Sequence, residues 1–161
     1  LLNTHCHIDH VLGNYFVANK YNLELGIHKE DLQTLESIPT YCQAYGFNDY
    51  QLSPEPAYFI NEGDVIKFGN SELNILFCPG HAPGHVVFYN VEDNFVINGD
   101  VLFQGSFGRV DLPNGDFDTL KESIISKMFK LPESMVVYTG HGGETTIGRE
   151  KLTNPILSYN A

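Results

Sequence analysis

Four donors of the kind that hold divalent metals, His5, His7, Asp9 and His10, stand within six residues of one another, and His81, Asp100 and His141 follow at breaks that read as loops. Neutral imidazole and carboxylate suit zinc, iron and manganese, and a pair of divalent ions needs roughly six or seven such donors with a shared hydroxide. The seven residues together describe a two-metal site. Which of the three metals fills it is left open, because donors of these types accept any of them and availability often decides.

The elements that must position these donors are legible in outline. His5 and His7 lie two apart in an extended stretch, so their side chains fall on one side and can chelate one ion. Asp9 and His10 then point elsewhere. Val11, Tyr15 and Ala18 have helical spacing and predict a helix from Val11 to Tyr21. Asp9 stands about where the N-cap of that helix belongs, so it either serves the metal or caps the helix. A short strand is expected from Leu23 to Ile27 and a second helix from Lys29 to Leu35. From 36 to 58 periodicity is weak, prolines stand at 39, 54 and 56, and Tyr41, Tyr45, Phe47 and Tyr50 are scattered between them. Such a long aromatic loop forms either a substrate wall or a packed cover on the sheet. Strand-like runs follow at Val65 to Phe68, Leu73 to Cys78, Val86 to Asn90 and Phe95 to Asn98, with turn signals between them. They end where His81 and Asp100 begin. Phe117 to Leu131 carries Leu120, Ile124, Met128 and Leu131 on one face of an amphipathic helix, and Val136 to Thr139 is the last strand before His141.

A chain of 161 residues that is 42% hydrophobic suits one domain with a real core, residues 1–161. No apolar run approaches the roughly 18 residues of a membrane span. The net charge of −11 disfavours a nucleic-acid surface. An anionic substrate then needs a local basic group. Arg109 is the candidate; the other reading pairs it with Asp111 or Asp116 on the surface. Cys6, Cys42 and Cys78 form no CxxC and leave a thiol unpaired, which fits a reducing compartment, the cytoplasm by default. Cys6 and Cys78 either approach the metals or pack beneath them as small buried residues. His85 either bonds to a ligand residue or fills space, and His28 reads as structural.

Thr4-His5-Cys6-His7-Ile8-Asp9-His10 resembles the THxHxDH motif of metallo-β-lactamase fold hydrolases. Pro79-Gly80-His81-Ala82-Pro83-Gly84 resembles the PGHxPG loop of that family, Asn98-Gly99-Asp100 its bridging aspartate, and Tyr138-Thr139-Gly140-His141-Gly142 its final histidine turn. Within the family, Gly99 to Phe103, Gly108-Arg109 and Glu144 to Gly148 are most similar to compact glyoxalase II type enzymes, the hydroxyacylglutathione hydrolases. The resemblance implies an αββα sandwich. It also implies that His5, His7 and His81 hold one metal, Asp9, His10 and His141 the other, and that Asp100 bridges two divalent ions, zinc first, with iron or manganese as the others. Asp9 would orient a metal-bridging hydroxide that cleaves a small thioester such as S-lactoylglutathione in methylglyoxal detoxification, and Arg109 would meet the anionic substrate. A thiolate whose acid has a pKa of about 8.5 leaves without a dedicated general acid. The aspartate at position 100 speaks against the commonest zinc β-lactamases, which carry cysteine there.

The chain opens at Leu1 without methionine, whereas relatives run through several strands before this motif, so the sandwich is expected to lack N-terminal strands of one sheet. The strand delivering His5 would then be an open edge inviting pairing or aggregation. Larger glyoxalase II enzymes add a C-terminal helical domain that supplies much of the glutathione site, so another small thioester is an alternative substrate. Two other functions fit: a persulfide dioxygenase with a single iron, sharing Gly108-Arg109-Val110-Asp111, and a non-catalytic metal-binding fragment.

Overall fold

The computed structural model describes residues 1–159. In chain order the elements are α1 (Ile8–Val11), α2 (Asn14–Tyr21), β1 (Leu25–Ile27), α3 (Leu32–Cys42), β2 (Pro56–Phe59), β3 (Val65–Phe68), β4 (Ser71–Phe77), β5 (Val86–Asn90), β6 (Phe95–Gly99), the hairpin β7 (Leu102–Phe103) and β8 (Ser106–Phe107), α4 (Phe117–Ser126), β9 (Val136–Thr139), β10 (Thr145–Thr146) and α5 (Ile147–Thr153).

Six strands form one sheet in the order β10-β9-β6-β5-β4-β3. Neighbours are antiparallel except β6 and β9, whose parallel pairing is allowed by the long crossover that carries α4. Alternation along the strands sends Val87, Val96 and Val137 to the face covered by Leu120 and Ile124 of α4 and Ile147 of α5. The same alternation sends Ile75, Val86 and Phe88 to the opposite face, where they pack with Ile60 and Leu2. On that side β1 and β2 pair in parallel, and Val11, Leu35 and Ile38 close over Leu25 and Ile27. The layers run helix, sheet, strand pair, helix, which is the anticipated αββα order. No helix among the described residues is long and apolar enough to cross a membrane.

Several element boundaries differ from expectation. The helix expected over 11–21 is two helices, broken at Leu12-Gly13, where glycine weakens helical propensity. Asp9 is not an N-cap: it lies in the first turn of α1, whose N-cap position is His7. The irregular stretch expected from 36 is helical as far as Cys42, with Pro39 inside α3. An interior proline costs about 3 kcal/mol, and burying Leu35 and Ile38 returns about 1.5–3 kcal/mol each, so packing prevails. The helix expected to reach Leu131 stops at Ser126 and tightens into a 3-10 turn at Met128–Lys130. Met128 and Phe129 stay buried there, so the apolar face continues although the helix does not.

Ile124 is fully buried between α4 and the sheet. Ile124→Ala is expected to destabilise the chain by about 2–5 kcal/mol and lower the melting temperature by roughly 5–15 °C. A shift below 2 °C in thermal unfolding would show that the sheet and α4 do not share one core.

Candidate metal centre

His81, Asp100 and His141 sit beyond the ends of strands, Asp9 and His10 on the short helix α1, and His5 and His7 in the segment that leads into it. The opening segment is held on both sides: the Gly26 N–H donates to the Leu1 carbonyl (2.9 Å) and the Val86 N–H to the Thr4 carbonyl (2.8 Å). His5, Cys6 and His7 follow directly. Asn3 and Asn14 exchange side-chain hydrogen bonds of 3.2 and 2.9 Å, and Asn3 also donates to the His10 carbonyl at 3.0 Å, which locks the turn carrying Asp9 and His10. His81 follows β4 in a loop made possible by Gly80, whose φ of +125° favours glycine and at which a Cβ would lie 2.2 Å from the Leu120 nitrogen. Asp100 follows β6, in a loop shaped by the Asn98 amide donating to the Leu102 carbonyl at 2.7 Å. His141 follows β9.

These ends converge. His5, His7 and His81 form one triad, Asp9, His10 and His141 a second, and His5 and His10 also group with Asp100; within each group the donor atoms lie within 4.8 Å of one another. His7 Nδ1 is 2.9 Å from His81 Nε2. Asp100 joins the triads: Oδ2 is 3.6 Å from His81 Nε2 and 3.3 Å from His141 Nε2, and Oδ1 is 3.4 Å from His10 Nε2. The two triads differ in access. His5 and His81 are buried, whereas the side chains of Asp9 and His141 are 48% and 57% exposed, so small molecules approach from the second triad.

The rings are oriented by partners on their outer nitrogens. The Arg109 carbonyl, which can only accept, lies 2.7 Å from His81 Nδ1, so that nitrogen carries the proton and Nε2 presents a lone pair. The Thr4 hydroxyl lies 3.2 Å from His5 Nδ1. His5 Nε2, His10 Nε2 and Asp100 Oδ1 are buried without a hydrogen-bond partner. Orphaned polar atoms are rare in folded proteins and call for an explanation. Burial, reinforced by neighbouring histidines, pushes His5 well below its ordinary pKa, and burial together with His81 pushes His7 to about 4. Burial lowers His81 as well. His10 differs: burial opposes its charge, but the Asp100 carboxylate 3.4 Å away and the Asp9 carboxylate outweigh burial and raise it. Imidazoles aimed inward beside two carboxylates, with His5, His7 and His81 kept neutral by burial, are the donor set a divalent cation requires, so these residues fit a metal pair.

His85 has the more specific of its two expected roles, but as an acceptor: the Asp100 N–H donates to its Nε2 at 3.1 Å, and its ring stacks on His5 with centroids 4.5 Å apart. His85→Leu would leave the Asp100 N–H buried and unpaired, costing about 1–3 kcal/mol of stability. Unchanged urea unfolding of that variant would remove His85 from the loop's support. Arg109 binds Asp111 through two 2.6 Å contacts while its carbonyl serves His81. Cys6 and Cys78 are buried, and burial raises both thiols, Cys78 to about 12, so they pack beneath the site as protonated thiols. His28 stacks on Phe77 with centroids 4.2 Å apart. Asn3, Asn14 and Asp31 are the supporting residues that the linear pattern did not single out.

The fold and donor set are those of a metal-dependent hydrolase family. The chain belongs to the metallo-beta-lactamase superfamily, whose profile matches residues 1–141. It is 38% identical over 159 residues to hydroxyacylglutathione hydrolase GloC of Haemophilus influenzae, covering 98% of this chain and 75% of that one. Among solved structures it is similar to the BLEG-1 B3 metallo-beta-lactamase, with a TM-score of 0.87, 32% identity and coverage of 98% and 76% of the two chains. It is also similar to TTHA1623 in a di-iron-bound form, with a TM-score of 0.86, 37% identity and coverage of 96% and 75%.

Proposed function

We propose that this chain is a binuclear metal-dependent hydrolase of small anionic thioesters, with S-lactoylglutathione as the representative substrate. The observation that carries the reading is the Asp100 carboxylate, whose two oxygens stand between the donor triads. His5, His7 and His81 would hold one ion, Asp9, His10 and His141 the other, and Asp100 both; zinc suits these donors, as do iron and manganese. Bound divalent ions supply Lewis acidity at the carbonyl and make a water-derived nucleophile accessible near neutral pH.

The remaining roles fall to the chain. Asp9, on the open side, accepts a hydrogen bond from the attacking water and so orients it. The Arg109 carbonyl and the Thr4 hydroxyl keep His81 and His5 turned inward. The thiolate departs unprotonated, since its acid has a pKa of about 8.5. Arg109 meets the anionic substrate by exchanging its partner Asp111 for a substrate carboxylate. Arg109→Ala is therefore expected to raise KM for an anionic thioester roughly 5-fold and to leave a neutral thioester within 2-fold, the small scale expected of an exposed ion pair. Equal effects on both substrates would sink this role. Three unpaired thiols support the cytoplasm as the compartment.

Similarity to a hydroxyacylglutathione hydrolase supports the thioester. The deciding experiment measures metal content by elemental analysis and thiol release from S-lactoylglutathione, with a β-lactam and glutathione persulfide assayed in parallel. Two ions per chain and thiol release support the reading. Two ions with β-lactam cleavage alone, or one iron with oxygen uptake on persulfide, would replace it.

A further inference from the structure

We propose that Asp31 is the positioning residue that sets the separation of the two loops carrying His5, His7 and His81, and through it the affinity of that triad for its ion. This rests on the metal reading above. Asp31 is fully buried and occupies the N-cap position of α3, yet its side chain makes no capping hydrogen bond. A carboxylate at that position ordinarily accepts from the first turn of its own helix. Here both oxygens reach across to other loops: Oδ2 accepts the Cys6 N–H at 2.6 Å and Oδ1 accepts the Gly84 N–H at 2.8 Å.

The two partners are telling. Cys6 lies between His5 and His7, and Gly84 lies three residues beyond His81. One carboxylate thus joins the backbones of the two segments that must meet to complete the first triad. The approach is built from both sides, because a Cβ at Gly84 would fall 2.4 Å from the Asp31 nitrogen and 2.6 Å from its Cβ. Only glycine lets the His81 loop come this near. Burial works against the Asp31 charge, and the two N–H donors oppose that effect; charge-assisted bonds of this kind are among the stronger ones. The same carboxylate faces the Cys6 thiol, whose ionisation burial and then the Asp31 charge disfavour.

The test is calorimetric titration of the metal-stripped chain with zinc, alongside the visible spectrum of the cobalt-substituted protein. The wild type is expected to show two binding events. Asp31→Asn keeps the shape but turns an amide NH2 toward one of the N–H donors; it is expected to weaken one event about 10–100-fold, the range for partners that orient metal ligands, while the other stays within 2-fold and the cobalt spectrum changes. Both events unchanged with only a lower melting temperature would overturn the role, leaving Asp31 a structural residue. A wild type that takes up no ion would overturn the metal reading and this inference together. Should Asp31→Asn fail to fold, Asp31→Glu keeps the charge and both acceptor oxygens but lengthens by one methylene the link that joins the Cys6 and Gly84 backbones. A several-fold weakening of one event supports the role; equal loss of both, or none, overturns it.

Discussion

Asp100→Asn is expected to lower turnover more than 100-fold and to leave fewer than two ions per chain, an effect beyond the roughly 10–100-fold typical of residues that merely orient a metal ligand. The reason is its position between the triads, with His81, His141 and His10 all within 3.6 Å of its oxygens. Burial disfavours its charge, but the close approach of His10 and the charges of His10, His81 and His141 prevail and hold the carboxyl below the usual range. The asparagine side chain has nearly the same shape, and the loop keeps its anchors at Asn98 and His85. The fold should therefore persist while the shared negative charge is lost. Full metal content with turnover within 10-fold of wild type would show that Asp100 does not join the two triads.

Gly140→Ala is the second large effect, and it is steric. A Cβ at Gly140 would lie 2.0 Å from Asp100 Oδ1 and 3.0 Å from His10 Cε1. The backbone cannot retreat freely, because the Gly140 N–H donates to the Gly99 carbonyl at 2.7 Å. Overpacking of this kind costs about 1–3 kcal/mol, and the side chain that gives way is the Asp100 carboxylate. Turnover should fall by the same order as in Asp100→Asn. The combination with Asp100→Ala isolates the mechanism: once the clashing oxygen is gone, Gly140→Ala should add little, so the two changes should be strongly non-additive. Additive losses in stability and turnover would mean that Gly140 acts elsewhere.

The donors were readable from the linear chain because the chemistry confines their types and the local geometry confines their spacing. His5 and His7 must fall on one side of an extended stretch, and His81, Asp100 and His141 must follow strand ends for rigid elements to hold them. Strand β5 of the large sheet was readable for a similar reason, since burial on both faces leaves the apolar run Val86-Val87-Phe88, whereas the two-residue β10 carries no such signal. The reach of α3 was not. Pro39 is a local signal against a helix, and the burial of Leu35, Ile38 and Cys42 that outweighs it is supplied by residues from other elements.

The supporting residues were hidden for a further reason. Asp31 in sequence is an acidic residue within the helix expected from Lys29 to Leu35, and nothing nearby indicates that its oxygens meet Cys6 and Gly84, 25 and 53 positions away. Arg109 offered two readings of its side chain, whereas its contact with His81 is made by a carbonyl, which every residue carries. The sequence by itself determined which atoms can bind a metal, through residue type and short-range spacing. The tertiary structure alone decided that His7 and His81, 74 positions apart, stand 2.9 Å from one another. It also decided which ring nitrogen faces inward, because hydrogen-bond partners and buried neighbours are brought together by packing rather than by chain order.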